Sequence, residues 1–384
     1  MLTLLLGTDW TANRDEILRL VSQDVSEKKS GRILMVPELI SHDTERRLCA
    51  CAGDTSSRYA EVLSFTRLAS RVADSVGHAA RECLDNGGQV VAMASAARQM
   101  HSRLKAYAAV ETRPEFLTGL VDAVDEFKRC CITPEDLLQA SKQTEGSLAQ
   151  KLEELSLLLE SYDSLCQRGK RDPRDQMTWL LEELEDSTFA LDHVFYIDGF
   201  PDFTRQHMAI LEHLISDSYS VTVSLNCDRP NSSLMAFEKA GDTAAELFRC
   251  AQRMGVEVVV RSIPARIDTL SPVREKLFQG KIDQKLRDGS LVLYRTETLY
   301  QECVAAAQRI IELVRNGARY RDISVVTADP SAYATTLEMV FARCHIPAYL
   351  SGTEDILDKS VITTVLAAMD TALGGFEQQD VLGI

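Results

Sequence analysis

A short apolar run that ends in an acid, Val194-Phe195-Tyr196-Ile197-Asp198, constrains the fold more than any other stretch of this chain. Four consecutive β-branched and aromatic residues predict a strand that is buried on both faces. Strands of that kind belong to parallel sheets covered by helices, and such sheets place their ligands at the carboxyl ends of the strands. The run therefore predicts an α/β fold with a functional edge at Asp198.

A second strand, loop and helix begin at the amino terminus. Leu2 to Leu6 predicts a strand, and a helix carrying Ile17, Leu18 and Val21 follows the loop. A phosphate-binding loop reads Gly, four residues, then Gly-Lys-Ser/Thr, because its N–H groups and lysine hold phosphate and its hydroxyl holds Mg²⁺. At that spacing the first glycine is kept and the last three positions are replaced: Gly7, Ala12, Asn13, Arg14. The alternative is an ordinary strand–helix turn, since one glycine is a weak signal.

The segment after Ile197 resembles a helicase motif. Helicases of the UvrD-like superfamily carry a pattern such as Asp-Glu-Phe-Gln-Asp-Thr there, whereas this chain reads Asp198-Gly199-Phe200-Pro201-Asp202-Phe203-Thr204. Gly199 stands at the position of the catalytic glutamate. Asn226-Cys227-Asp228 stands where an Asp-Gln pair would sense the γ-phosphate. The resemblance implies a degenerate nucleotide site formed by Gly7, Ala12, Asn13, Arg14, Asp198 and Gly199.

A third strand leads into a helix with two arginines. Glu61 to Val72 begins as an apolar strand and continues as a helix. Backbone N–H groups, small hydroxyls and arginines at the start of a helix commonly form a phosphate-binding site. The alternative is a capped surface helix with solvated arginines. Phe65, at the junction, could stack on a base, although a phenylalanine in such a position is more typical of a core.

Helical periodicity replaces the strand pattern between residues 79 and 187. Ser147 to Cys166 repeats leucines at steps of three and four residues, which predicts an amphipathic helix. A helical block between strands of one sheet is typical of an inserted subdomain. After a connector at Ser262 to Lys285, a second α/β unit is predicted, with strands at Leu291–Arg295, Ile323–Val326 and Pro347–Leu350 in a βαβαβ arrangement. The last predicted helix, Val361 to Leu373, has no evident closing element, which suggests a fragment of a longer protein.

Composition limits the partners and the compartment. The formal net charge is −15 and the pI about 5.0, so any contact with nucleic acid needs a local basic patch. The ten cysteines include no Cys-x-x-Cys pair, which indicates no metal or iron–sulfur site and suits a reducing cytoplasm. The chain has no run near the roughly 20 apolar residues of a membrane span, and its first ten residues predict a strand rather than a signal peptide.

Taken in order, these segments resemble the amino-terminal half of the AddB/RexB family, one of the two subunits of the bacterial ATP-dependent helicase/deoxyribonuclease and a degenerate superfamily-one helicase. The resemblance is carried by Val36-Pro37-Glu38, Glu61 to Ala69, Ile197 to Phe200, Phe203-Thr204 and Arg319 to Val325. It implies RecA-like domains with parallel sheets. Residues 1–78 and 188–288 would form the first, residues 79–187 its helical insertion, and residues 289–384 the start of a second.

The resemblance also implies partners and a DNA site. The partners would be an AddA/RexA-type helicase-nuclease subunit and single-stranded or double-strand-end DNA. The DNA-binding residues would be Ser64, Phe65, Thr66, Arg67 and Arg71. An iron–sulfur cluster and Mg²⁺ would belong to a carboxyl-terminal nuclease beyond this chain, so no cofactor is expected here. Gly280 to Lys285 contains the Asp-x-Lys spacing of metal nucleases but lacks a second carboxylate strand, and a surface connector is expected.

Three hypotheses follow. The first is a catalytically silent, DNA-binding helicase-like module. The second is an active ATP-hydrolysing motor that uses an unusual loop, although it would lack both the phosphate lysine and the water-positioning glutamate. The third is a purely architectural domain that docks the partner subunit without touching DNA, which the −15 charge favours.

Overall fold

A computed structural model describes residues 1–77, 82–109, 113–274, 289–350, 356 and 359–374. The Asp-x-Lys segment at 280–285 lies outside these residues. Contacts divide the chain into two compact units, residues 1–284 and 285–384. Among the described residues, no helix is both long and apolar enough to cross a membrane, and no group of three His, Cys, Asp or Glu side chains is placed to hold a metal ion.

A six-stranded parallel sheet forms the centre of the first unit. The strand order is β3-β2-β4-β5-β1-β6, with Leu2 of β1 paired to Val221 of β5 on one side and to Val258 of β6 on the other. The predicted α/β fold with a parallel sheet is confirmed, and it is consistent with a RecA-like domain. The strands are β1 (Leu2–Leu6), β2 (Arg32–Met35), β3 (Ala60–Leu63), β4 (Val194–Ile197), β5 (Ser220–Leu225) and β6 (Val258–Ser262).

Helices follow the strands and fill the long interval between β3 and β4. They are α1 (Trp10–Ser26), α2 (Glu38–Ala52), α3 (Phe65–Val76), α4 (Asn86–Met100), α5 (Pro114–Arg129), α6 (Pro134–Lys142), α7 (Gly146–Arg168), α8 (Gln176–Glu185), α9 (Arg205–Asp217), α10 (Glu238–Arg253), α11 (Ser271–Arg274), α12 (Leu299–Arg315), α13 (Pro330–Arg343) and α14 (Ser360–Gly374).

Strands β1 to β5 are largely buried on both faces of the sheet, whereas β6 at the edge is partly to fully exposed. Successive side chains of a strand point to opposite faces, so the two faces belong to different cores. Leu4 of β1 packs into one core with residues of α3, α8, α9 and α10, whereas the next residue, Leu5, packs into a second core with α1 and α2. Tyr196 and Ile197 of β4 divide between the two cores in the same way. This double burial explains why the strands read as continuous apolar runs.

Helices α4 to α7 share a hydrophobic cluster of their own. Met93, Leu120, Leu158 and Tyr162 are buried together in it, apart from the two cores that flank the sheet. The predicted amphipathic segment Ser147–Cys166 lies within α7. The helical character predicted for this interval is therefore confirmed over the described residues.

The three strands predicted for the second unit are wrong. The described residues of this unit form helices α12, α13 and α14, with Ala307, Leu337 and Phe341 in a shared core. The backbone at 291–295, 323–327 and 346–350 is described and belongs to no strand. Apolar, β-branched sequence is not sufficient for a strand, because strand structure requires a neighbouring backbone that completes the hydrogen-bond ladder.

Candidate functional site

The loop after β1 is only three residues long, because α1 begins at Trp10. Asp9 caps this helix, and its Oδ1 accepts hydrogen bonds from the backbone N–H groups of Thr11 (3.0 Å) and Ala12 (3.3 Å). A helix amino terminus is a ready anion site, and here the chain's own carboxylate occupies it. Burial opposes ionisation of Asp9, but the N–H groups of Arg266, Ala12 and Thr11 outweigh it and lower the pKa.

Asn13 fills the space beside Gly7, where a phosphate loop would need room. Its side chain is buried (the residue is 2% exposed), and Nδ2 donates to the carbonyl oxygens of Gly7 and Leu225, both at 3.1 Å. A Cβ added to Gly7 would lie 2.1 Å from the Asn13 Oδ1. The amide therefore links the carboxyl ends of β1 and β5, and it occupies the space inside the loop between β1 and α1.

Arg14 and Asp198 form a buried ion pair. The Arg14 Nε lies 3.2 Å from the Asp198 Oδ2, and the two side chains are 9% and 7% exposed. The guanidinium also lies over the Trp10 ring, 4.9 Å from its centroid. The Arg14 side chain thus neutralises the acid at the end of β4. Sequence reasoning identified both residues but not their contact.

Gly199 occupies a backbone conformation that disfavours any residue with a side chain. Its φ is +85°, and a Cβ there would lie 2.9 Å from Ile40 Cδ1 and 3.2 Å from Pro37 Cδ. Positive φ values favour glycine because other L-residues are strained in that region. This position, where the resemblance would place a helicase glutamate, therefore favours a residue without a side chain.

These residues surround a cavity of about 250 Å³ at the carboxyl edge of the sheet. Of the six residues predicted for a degenerate nucleotide site, Asn13, Arg14, Asp198 and Gly199 line this cavity, Gly7 lies beneath the Asn13 amide, and Ala12 lies in the first turn of α1. Trp10 and Ser224 also line it but were not predicted. The sequence signal available for Trp10 was an aromatic residue within the segment Gly7 to Arg14, which had been compared with a phosphate-binding loop.

Of the residues predicted to bind DNA, those from Ser64 to Arg67 lie at the amino end of α3, beside the acid Glu38, and Arg71 lies one turn further along the helix. Ser64 caps α3, its Oγ accepting from the Arg67 N–H at 3.2 Å. The hydroxyls of Ser64 and Thr66 both donate to Glu38 Oε2, the latter at 3.0 Å. The Ser64 and Thr66 bonds hold the pKa of the Glu38 carboxyl below its ordinary value. Glu38 was noted only as part of the family resemblance, and its role at α3 was missed.

Both arginines of the predicted patch have carboxylate partners. Arg67 Nη1 lies 2.9 Å from Glu45 Oε1, with side chains 45% and 37% exposed. Arg71 Nε lies 3.1 Å from Glu61 Oε2, and both of these side chains are 40% exposed. Exposed pairs of this kind contribute only about 0–1 kcal/mol. A phosphate could therefore replace either carboxylate at little cost.

Phe65 belongs to the core, as the alternative interpretation predicted. The residue is 5% exposed, and its ring stacks on His207 with 4.1 Å between centroids. The rings of Phe200 and Phe203 approach it edge-on at 5.5 and 6.4 Å. Burial lowers the pKa of His207 to about 4, so the ring is neutral at physiological pH. Phe65 therefore fixes the position of the loop and does not face solvent.

The fold defines an α/β protein with a six-stranded parallel sheet and a helical interval between β3 and β4, which is consistent with a RecA-like domain. The family model described as "ADDB, N-terminal" matches residues 4–274. The chain belongs to this family.

Curated relatives are named as the B-type subunit of an ATP-dependent helicase/deoxyribonuclease. The protein of Clostridium acetobutylicum is 27% identical over 354 residues, which covers 88% of this chain and 30% of the relative. Those of Alkaliphilus metalliredigens and a Thermoanaerobacter species are each 27% identical over 380 residues, covering 95% of this chain and 33% of the relative. The chain thus spans about a third of the length of these relatives.

Proposed function

We propose that this chain is the non-catalytic, helicase-like part of the AddB/RexB-type subunit of a heterodimeric ATP-dependent helicase/deoxyribonuclease that processes DNA double-strand ends for recombinational repair. The name of the relatives supports a place in such a complex. On this proposal an AddA/RexA-type subunit supplies ATP-driven unwinding, and the chain acts in the cytoplasm.

The proposal that the chain is non-catalytic rests on the side chains that occupy the loop after β1, where a phosphate would bind. The Asp9 carboxylate takes the N–H groups that would bind phosphate, and the Asn13 amide lies against Gly7. Arg14 neutralises Asp198, and the backbone at Gly199 disfavours any residue with a side chain. Phosphoryl transfer depends on positioning and on electrostatic stabilisation of the transferred group, and each of these replacements removes one of the groups that provide it.

The proposed domain organisation follows the sequence prediction. Residues 1–78 and 188–288 would form a first RecA-like domain, residues 79–187 an inserted helical subdomain, and residues 289–384 the start of a second RecA-like domain. The separate hydrophobic cluster of α4 to α7 supports the insertion, and the boundary between compact units at 284 supports the start of the second domain near residue 289.

We place the single-strand contact at the amino end of α3. Thr66, Arg67 and Arg71 would contact phosphates, while Ser64 and Phe65 hold the loop in position. Both arginines are exposed and in weak ion pairs, so phosphate binding is an exchange of one anion for another. Such binding is sequence-tolerant and depends on salt, with a slope of about −0.7 in log K per neutralised phosphate on a single strand.

A turnover assay tests the loss of motor activity. We expect no hydrolysis of ATP by the purified chain above the rate of an Asp198→Asn variant, because that variant removes the acid at the former magnesium position. Turnover by the wild type that disappears in Asp198→Asn would contradict the proposal and favour the active-motor hypothesis.

A titration against a fluorescent single strand tests the DNA contact. Binding is measured at about 50 and about 200 mM salt, with Arg67→Ala and Arg71→Ala beside Arg19→Ala, an exposed arginine of α1 that also pairs with a glutamate. We expect each α3 variant to reduce the salt slope by about 0.7 and Arg19→Ala to leave it unchanged. Identical slopes for all proteins would place the DNA path elsewhere.

The architectural hypothesis remains the second candidate because of Glu38. Its carboxylate lies at the amino end of α3 and accepts from Ser64 and Thr66, so it presents negative charge to an approaching phosphate. If the chain binds an AddA/RexA-type subunit but shows no salt-dependent affinity for a single strand, this candidate replaces the DNA-binding one.

A further inference from the structure

The cavity at the former nucleotide site contains a buried cation with unused hydrogen-bond donors. Arg14 is 7% exposed and lines the cavity. Within the described part of the chain, its guanidinium has a single hydrogen-bond partner, the Nε contact to Asp198 Oδ2. A guanidinium carries five N–H donors, so the Nη1 and Nη2 groups of a nearly buried side chain are left for a ligand.

The acid beside this cation provides an acceptor. Asp198 is 5% exposed and also lines the cavity. Its Oδ2 accepts from Arg14, and its Oδ1 has no partner among the described residues. Ser224, which is buried, and the exposed Asn226 complete the polar wall. A ligand therefore meets donors and an acceptor side by side.

Charge and size indicate the class of ligand. The charges of Arg14 and Asp198 cancel, so an anion such as phosphate would face the carboxylate as well as the guanidinium, whereas a neutral group meets no net repulsion. A cavity of about 250 Å³ lies below the range of about 300–1,000 Å³ that is usual for pockets that bind larger organic molecules. A single planar ring system is within this volume, and the paired charges rather than the size favour it over a phosphate chain.

Trp10 gives this cavity an aromatic entrance. The residue is 56% exposed, its ring lies under the Arg14 guanidinium, and it lines the same cavity. Exposed aromatic rings next to arginine are the platforms on which proteins stack nucleobases. Pockets that accept a single base read its Watson–Crick edge with hydrogen bonds and hold its face against aromatic or apolar side chains.

We propose that this cavity binds one neutral nucleobase, with guanine preferred. The guanine Watson–Crick edge sets a carbonyl acceptor next to two N–H donors, which matches an Arg14 donor beside the Asp198 acceptor. The base would come either from a free nucleoside or from a single strand. The inference goes beyond the proposed function. Free guanosine tests it without DNA, whereas the reduced salt slope of strand binding in Arg67→Ala reports on the proposed function alone.

Fluorescence of Trp10 is the direct assay. The chain has two tryptophans, so a Trp179→Phe background leaves Trp10 as the only reporter. We expect guanosine to quench it saturably and inorganic phosphate to have no effect. In the same background, Asn226→Ala should weaken guanosine binding about threefold and Asp198→Asn at least tenfold. Arg19→Gln, on the same helix but outside the cavity, should leave the affinity unchanged.

Asn226 is exposed and makes no side-chain hydrogen bond within the described residues, so Asn226→Ala keeps the test informative if Asp198→Asn fails to fold. Absence of saturable quenching by guanosine in the folded protein would overturn the inference. Displacement of guanosine by inorganic phosphate would also overturn it, as it would assign an anion site. Equal affinity for guanosine in Asn226→Ala, Asp198→Asn and the wild type would overturn the inference as well.

The source of the base is resolved with two oligothymidylate strands, one ending in guanosine and one ending in an abasic residue. Tighter binding of the first strand, with the difference lost in Asp198→Asn, assigns the cavity to a strand end. Equal binding of both strands, with guanosine binding intact, assigns it to a free nucleoside.

Discussion

Replacing Arg14 with methionine tests whether the ion pair with Asp198 now has a structural role. The two side chains are 9% and 7% exposed and make one charge-assisted hydrogen bond of 3.2 Å. Removing one partner leaves a buried carboxylate without compensation, which typically costs about 3–5 kcal/mol. We therefore expect Arg14→Met to lower the free energy of unfolding by about 3–5 kcal/mol.

Arg71→Met is the matched control, since its bond also runs from Nε to a carboxylate and is 3.1 Å long, but both side chains are 40% exposed. For this pair we expect a loss of only about 0–1 kcal/mol, because water screens the charges. The double variant Arg14→Met with Asp198→Leu removes both buried charges. It should regain most of the loss, since apolar replacements of buried ion pairs are often neutral or stabilising.

Equilibrium urea unfolding followed by far-UV circular dichroism measures these differences, with unchanged m-values required for the comparison. A loss in Arg14→Met no larger than that in Arg71→Met would refute the argument that burial decides the contribution of this pair. Failure of the double variant to recover stability would show that Arg14 contributes through packing on Trp10 rather than through its charge.

Three further outcomes are expected. Gly199→Ala should destabilise the fold by about 1–3 kcal/mol, because of its positive φ and the 2.9 Å approach to Ile40. Thermal unfolding measures this against Gly119→Ala, a glycine of α5 without a positive φ at which an added Cβ meets nothing within 4 Å. Glu154 is buried, and burial opposes its ionisation, but hydrogen bonds from three backbone N–H groups lower its pKa. Its contribution to the free energy of unfolding is therefore complete above the unfolded pKa of 4.5 and is lost as the pH falls below that value. Glu154→Gln should flatten the dependence of stability on pH in that acidic range. The pKa of His207 is about 4 in the folded protein, against an ordinary value of 6.5. The free energy of unfolding of the wild type should therefore fall by up to about 3 kcal/mol as the pH falls from 6.5 to 4. In unfolding experiments across this range, His207→Phe should abolish this part of the pH dependence.

The parallel sheet could be predicted because its strands are buried on both faces. Val194–Ile197 and Ser220–Leu225 are recognisable as apolar runs for this reason. The same rule failed at 291–295, 323–326 and 347–350, which are rich in apolar residues but unpaired in the described structure. Local sequence reports the preference of a segment, while the presence of a neighbouring strand depends on the rest of the fold.

The site was predictable as a set of substitutions and not as a set of contacts. Asn13 and Gly199 could be identified from the sequence because the spacing of the motifs locates the positions at which the resemblance expects a lysine and a glutamate. The pairing of Arg14 with Asp198 joins residues 184 positions apart, and no local pattern indicates it. The acid Glu38 beside Ser64 was equally hidden, because it depends on how β2 and β3 lie next to each other in the sheet.

The position of β1 in the sheet has a consequence for synthesis on the ribosome. Leu2 to Leu6 lies between β5 and β6, whose residues begin at Ser220 and Val258. At about 5–20 residues per second, the nascent chain carries this unpaired apolar strand for tens of seconds before these neighbours emerge. Contacts this distant in sequence also slow folding. Of the six strands, β1 is therefore synthesised first and completes its pairing only after β5 and β6 have emerged.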